Sequence, residues 1–178
     1  MNCVKLIIKG KKIVTKVGIL LGSDSDLEVM EECSKLLKYF SIPHELVISS
    51  AHRSPERTIN IAKDAKNRGW EVIIVGAGGA AHLGGVVAAH SSLPVIGVPI
   101  DSTTLKGIDS LLSIAQMPGG VPVATMAIGK PGAKNAAIFA AQIIALKNDE
   151  IRDKLNRYKK DLACGVLEKD KKVSFTWG

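Results

Sequence analysis

Residues 17–26 read Val-Gly-Ile-Leu-Leu-Gly-Ser-Asp-Ser-Asp, a five-residue apolar run that ends on a glycine and turns polar. An apolar run with no alternation is the pattern of a strand buried on both faces. Leu27–Phe40 follows with apolar residues at helical spacing, which gives strand, polar loop, helix in that order. The unit recurs along the chain. His44–Ser49 reads as a second strand, followed by Ser-Ala-His-Arg and a helix from Pro55 whose body runs over Arg57–Arg68. Ser54 stands where an N-cap belongs, with Pro55 at the first helical position. Val72–Val75 is a third strand, leading into Gly76-Ala-Gly-Gly-Ala-Ala-His82 and a helix over Ala81–Ser91. Pro94–Val98 and Val121–Ala124 complete the strands, and helices are expected over Gly107–Gln116 and Gly132–Leu146.

Five apolar strands alternating with helices require right-handed crossovers and a parallel sheet covered on both faces. The fold class is therefore α/β, a three-layer α/β/α sandwich with a five-stranded parallel sheet. An extra C-terminal helix is expected over 149–163, where Ile151, Leu155, Tyr158 and Leu162 recur at 3–4 spacing in a charged background. Arriving after the sheet is complete, it is expected to pack on a neighbouring subunit or on the domain's rim. The chain reads as one domain, 1–178, with a core over 17–163. Residues 1–16 form a basic N-terminal extension and 164–178 a C-terminal tail.

The 178 residues are 46% hydrophobic, 23% charged and only 4% aromatic, a globular balance with little material for stacking nucleic-acid bases. The net charge of +7 raises a nucleic-acid partner, but its placement argues against one. Residues 1–16 carry +5 and residues 147–178 carry +3, so the intervening segment is −1. An extended basic groove across the domain, as duplex binding needs, is not expected of a near-neutral segment. Cys3, Cys33 and Cys164 are odd in number and share no metal-binding spacing, as expected of reduced thiols in the cytoplasm. Lysines interrupt the N-terminal apolar residues, and no window reaches the roughly 20 apolar residues of a membrane span. A cytoplasmic protein without a membrane partner is expected.

Ligands of open parallel sheets bind beyond the carboxyl ends of the strands, and three polar loops fall there. In Gly22-Ser-Asp-Ser-Asp26, backbone N–H groups with the Ser23 and Ser25 hydroxyls suit an anion at a helix start, while Asp26 suits sugar hydroxyls. The same residues suit simple helix capping. In Ser49-Ser-Ala-His-Arg53, Arg53 offers a fork for phosphate and Ser50 a hydroxyl, with His52 placed to move a proton. In Gly76–His82, small residues let backbone approach a planar ligand, and His82 is either a contact at the mouth or a capping or core histidine. His90 falls near the same helical face as His82, but a metal pair lacks a third ligand, and no metal is expected. His44 reads as structural. Together the loops point to proton transfer on a substrate tethered by its phosphate.

These residues resemble the PurE family, the 5-(carboxyamino)imidazole ribonucleotide mutases of purine biosynthesis. The likeness rests on the three loops above, on Pro94–Pro99, Gly107–Val123 and Asn135–Gln142, and covers about residues 17–163 in unbroken order. It implies a flavodoxin-like sheet of order 2-1-3-4-5 and a homo-octamer with sites between subunits. It implies a carboxyl group moved from an exocyclic nitrogen to a ring carbon without metal or organic cofactor, on a small ribonucleotide handed over by an ATP-dependent carboxylating enzyme. By the same resemblance Ser23, Asp26, Ser50 and Arg53 bind the ribonucleotide and His52 is the general acid/base. Gly78, Gly79, Ala80 and His82 enclose the base and transient carbon dioxide, and Gln116, Met117 and Pro118 reach the site of another subunit. A second class of the family carboxylates the aminoimidazole ribonucleotide directly; it typically carries Lys where Arg53 stands, so this chain resembles the mutases. Gly84 departs from the family's usual proline, and the two ends match nothing.

Two other readings compete. Gly76-x-Gly78-x-x-Ala81 after a strand has the outline of a dinucleotide fingerprint, with Asp101 near the next strand's end. That fingerprint belongs on the first strand, which here ends in Ser-Asp. A phospho-receiver domain would need an aspartate where Gly76 stands.

Overall fold

The computed structural model describes residues 16–174, so most of the basic N-terminal extension and the last four residues lie outside it. Five strands, β1 (Val17–Leu21), β2 (His44–Ile48), β3 (Val72–Gly78), β4 (Val95–Ile100) and β5 (Ala124–Thr125), form one sheet of order β2-β1-β3-β4-β5. Every pairing is parallel, as the alternation with helices demanded. The helices are α1 (Leu27–Tyr39), α2 (Pro55–Asp64), α3 (Leu83–His90), α4 (Ile108–Ala115), α5 (Lys130–Ala145) and α6 (Asp149–Ser174).

Alternate residues of the strands feed two separate cores. Ile19, Leu21, Ile74 and Ile96 meet α1 and the alanine-rich face of α5, whereas Leu20, Ile73, Val75 and Val95 face α2, α3 and Ile114 of α4. The three-layer sandwich follows from the central strands β1, β3 and β4, which bury residues on both faces of the sheet. Gly18 marks the closest approach in the second core: a Cβ there would lie 2.3 Å from the Trp70 ring, so the indole lies directly on the β1 backbone.

Two elements differ from their expected bounds in ways that shape the site. Gly76, Ala77 and Gly78 continue β3, because they pair with Val98, Pro99 and Ile100 of β4. β5 begins only at Ala124, since Pro122 has no N–H to give a ladder; Ala124 and Thr125 pair with Ile96 and Gly97. Register then sets the level of the loops: Leu21 pairs with both Ile48 and Gly76, so β1 and β2 end level while β3 and β4 run two residues further, to the Gly78–Ile100 pair.

The C-terminal helix runs through Ser174, where a tail had been expected from residue 164. Its first turns pack on this chain's own domain. Ile151 and Leu155 are buried, and the Tyr158 ring meets those of Phe40 and Tyr39 at centroid distances of 5.5 and 5.8 Å. Beyond that point Leu162, Val166 and Leu167 are exposed.

Candidate active site

A cleft of about 320 Å³ opens at the carboxyl edge of β2, β1, β3 and β4. The sheet creates it: the chain steps from β1 outward to β2 and then back across to β3, so the loops after these strands diverge.

Gly22 starts the first loop, its N–H donating to Gly76 O on the neighbouring strand. Ser23 and Asp26 then close a capping box: the Ser23 N–H donates to Asp26 Oδ2 at 3.0 Å, and Ser23 Oγ accepts from the Ser25 N–H. Asp26 is only 4% exposed. Burial lifts its carboxyl above the ordinary 3.8, opposed by hydrogen bonds from the Ser23 and Gly22 backbone and aided by the charge of Asp24. Asp24, at the surface, is held below the usual range by the Ser23 hydroxyl. The capping function weighed for this loop and its place in the cleft coexist in the same residues.

The second loop is pinned at its base by a buried hydroxyl pair, Ser49 Oγ and Thr58 Oγ1 at 2.8 Å. Ser54 does not cap α2 with its side chain as expected. Its N–H and its hydroxyl both donate to Ser50 O, at 2.9 and 3.0 Å, which winds residues 50–54 into a compact turn. The turn presents Ser50 Oγ to the Arg53 N–H at 3.2 Å, and the guanidinium reaches the Gly22 carbonyl at 3.5 Å. Arg53, Ser50 and Ser23 thereby form one corner rich in donors. This corner has the fork, hydroxyls and backbone N–H groups that bind a phosphate.

His52 leaves that turn toward the third loop, where its Nε2 lies 2.7 Å from His82 Nδ1 with the rings 74° apart. One ring must donate and the other accept, so at least one of the two is neutral while the bond holds. His82 is thus a residue of the cleft mouth, neither core nor capping, and its N-cap position carries no side-chain cap bond. His90 lies apart, bonded to Val86 O, and His44 is held between Ser34 Oγ and Ile42 O.

Ser23, Asp26, Ser50, His52, Arg53, Gly78 and His82 all line the cleft; Gly79 and Ala80 do not. Ala80 turns outward to α4, where its carbonyl accepts the Ser113 hydroxyl. Gln116, Met117 and Pro118 are absent from this cleft, and Met117 packs instead near Gly85 of α3. The loop reading missed Ser102, which lines the cleft from beyond the end of β4. A strand-end residue in a sheet already open at β1 and β3 was the available signal. The dinucleotide fingerprint dissolves here, because Gly76 and Gly78 are strand residues and the helix begins only at Leu83.

Comparison with known proteins agrees with this geometry. Residues 16–164 match the family described as AIR carboxylase. The chain is 55% identical over 168 residues, 94% of each sequence, to the N5-carboxyaminoimidazole ribonucleotide mutase of Pyrococcus horikoshii. It is 47% identical to the Escherichia coli K12 mutase over 86% of this chain and 90% of that one. Among solved structures, PurE of Treponema denticola superposes with a TM-score of 0.79 at 32% identity, over 88% of this chain and 96% of that one.

Proposed function

The chain belongs to the AIR carboxylase family, and from that premise we propose that it is an N5-carboxyaminoimidazole ribonucleotide mutase of purine biosynthesis. The observation that carries the reading is one cleft joining the Arg53–Ser50–Ser23 corner to the His52–His82 pair. The corner takes the phosphate and Asp26 the ribose side, which leaves the imidazole against the histidines and Gly78.

In the first half of the reaction, cationic His52 gives its proton to the exocyclic nitrogen as the bond from nitrogen to the carboxyl carbon breaks. This leaves carbon dioxide, the aminoimidazole and a neutral His52. In the second half, the ring carbon attacks the carbon dioxide with its enamine electrons, and His52 removes the proton from that carbon to restore the aromatic ring. No net proton is consumed, and one group serves as acid and then base. His82, bonded to His52 at 2.7 Å, holds the imidazole in place between the two transfers. The small residues Ala77, Gly78 and Ala81 leave space for the transient carbon dioxide beside the ring.

The same reading takes residues 1–178 as one domain acting in the cytoplasm, on a substrate handed over by an ATP-dependent carboxylating enzyme. Assembly of copies, eight by the family resemblance, is supported by Ile108 and Leu112, exposed one turn apart on α4, and by the exposed Leu105 in the turn before it.

The test supplies purified protein with the carboxyamino ribonucleotide, and separately with the aminoimidazole ribonucleotide plus bicarbonate. Ring-carboxylated product from the first at low bicarbonate is expected. Product from the second alone would assign the direct carboxylation of the other class instead.

A further inference from the structure

Ser102 stands two residues past the end of β4, on the opposite side of the cleft from Arg53. Its hydroxyl is hydrogen-bonded to no described residue; of the other serines lining the cleft, Ser23 and Ser50 are engaged with their own loops and Ser25 lies in the loop after β1, on the side of the Arg53 corner. The side chain is nevertheless fitted closely to its neighbour. A Cβ on residue 78 would fall 2.1 Å from Ser102 Oγ and 2.7 Å from its Cβ, so only glycine at 78 lets the serine occupy this place. A β3 residue has given up its side chain to seat an unbonded hydroxyl in the wall.

Position along the sheet indicates what the hydroxyl meets. Adjacent strands lie about 4.8 Å apart, so the loop after β4 is about 10 Å from the loop after β1 and about 14 Å from that after β2. The Arg53 guanidinium covers part of that distance by reaching from the β2 loop to Gly22 at the end of β1, so a ribonucleotide with its phosphate in that corner directs the far end of its base toward β4. In the substrate and product read above, that end carries a carboxylate.

Resting on that reading, we propose that Ser102 is a substrate-binding residue that donates a hydrogen bond to the carboxyl group of the imidazole. The site is then built from four loops, with the phosphate read at β2 and β1 and the migrating group at β4.

The test measures binding by calorimetry for wild type, Ser102→Ala and Ser102→Thr against three probes. These are the ring-carboxylated ribonucleotide, the same nucleotide lacking the carboxyl, and inorganic phosphate. The alanine variant should bind the carboxylated nucleotide ten- to a hundredfold more weakly, roughly the loss expected for a hydrogen bond to a charged acceptor. Its affinity for the other two probes should stay within about twofold, and threonine should recover part of the loss by restoring the donor. Equal weakening for all three probes, or none for any, would overturn the assignment of Ser102 alone. Wild-type protein that binds neither nucleotide would overturn the ribonucleotide reading itself. Because the replaced hydroxyl bonds to nothing described in the protein, the unfolding temperature of Ser102→Ala should match wild type.

Discussion

His52 and His82 hold each other by one hydrogen bond across two loops, and this contact decides what a substitution at 52 should do. Asparagine can keep a polar contact to His82 but cannot carry a proton between nitrogen and carbon. His52→Asn is expected to lower kcat by roughly 10²–10⁴, the usual worth of a general acid/base, with nucleotide affinity within a few-fold of wild type. Near-normal turnover would remove His52 from the reaction. Asp26 is a different case, a carboxyl that the site keeps at a cost to stability. Burial raises it above its ordinary 3.8, so its favourable protonated form is present below that value and is lost as pH rises through the folded-state value. At neutral pH the buried charge opposes folding. Asp26→Asn keeps an acceptor for the Ser23 N–H, so its unfolding temperature at pH 7 should exceed that of wild type, the gap closing below about pH 4. A Tm that falls at pH 7 would contradict the burial account. The histidine, arginine and serines of loops one and two were legible because their chemistry is specific and each loop follows its strand directly. Ser102 was not, because a serine two residues past a strand looks like any turn residue until Gly78 is seen to make room for it.

Among the elements, α3 tests what the glycine at 84 costs. Gly84 lies in the first turn, is buried, and would place a Cβ 3.6 Å from Val123 Cγ1, an ordinary contact. Gly84→Ala should therefore stabilise the protein by about 0.5–1 kcal/mol by removing unfolded-chain freedom, measured by denaturant midpoint at unchanged m. A loss of stability would mean that Val123 cannot accommodate the methyl. Strand and helix order was fully readable, because apolar runs and 3–4 spacing are local signals. Their ends were less so. β3 reaches Gly78 through glycines that read as loop, since what extends it is pairing with β4, a partner some twenty residues away. α6 runs on past 163 for a local reason: despite Gly165, the Leu, Glu and Lys residues that follow are good helix formers and propagate the helix from the turns before them.

At the scale of the molecule, two cores on either side of one sheet should open together. Cys33 sits fully buried against the first core, and burial pushes its thiol up to about 12. In a Cys3→Ser, Cys164→Ser background, labelling of Cys33 should therefore be negligible in the native state and should follow the global unfolding curve in denaturant. Rapid labelling without denaturant would reveal a separate opening of α1. The charge distribution is also a property of the whole chain: the surplus of basic residues lies at the two ends, and the segment carrying the cleft is near neutral. The cleft itself belongs to the backbone. It exists because β1 is followed by a strand on one side and then by one on the other, whichever side chains decorate the loops. If every lining residue were exchanged, the present chemistry would vanish and the crevice would persist. What is inherited most securely in this molecule is thus a vacancy, one that selection can furnish again for another small anion without redesigning either core.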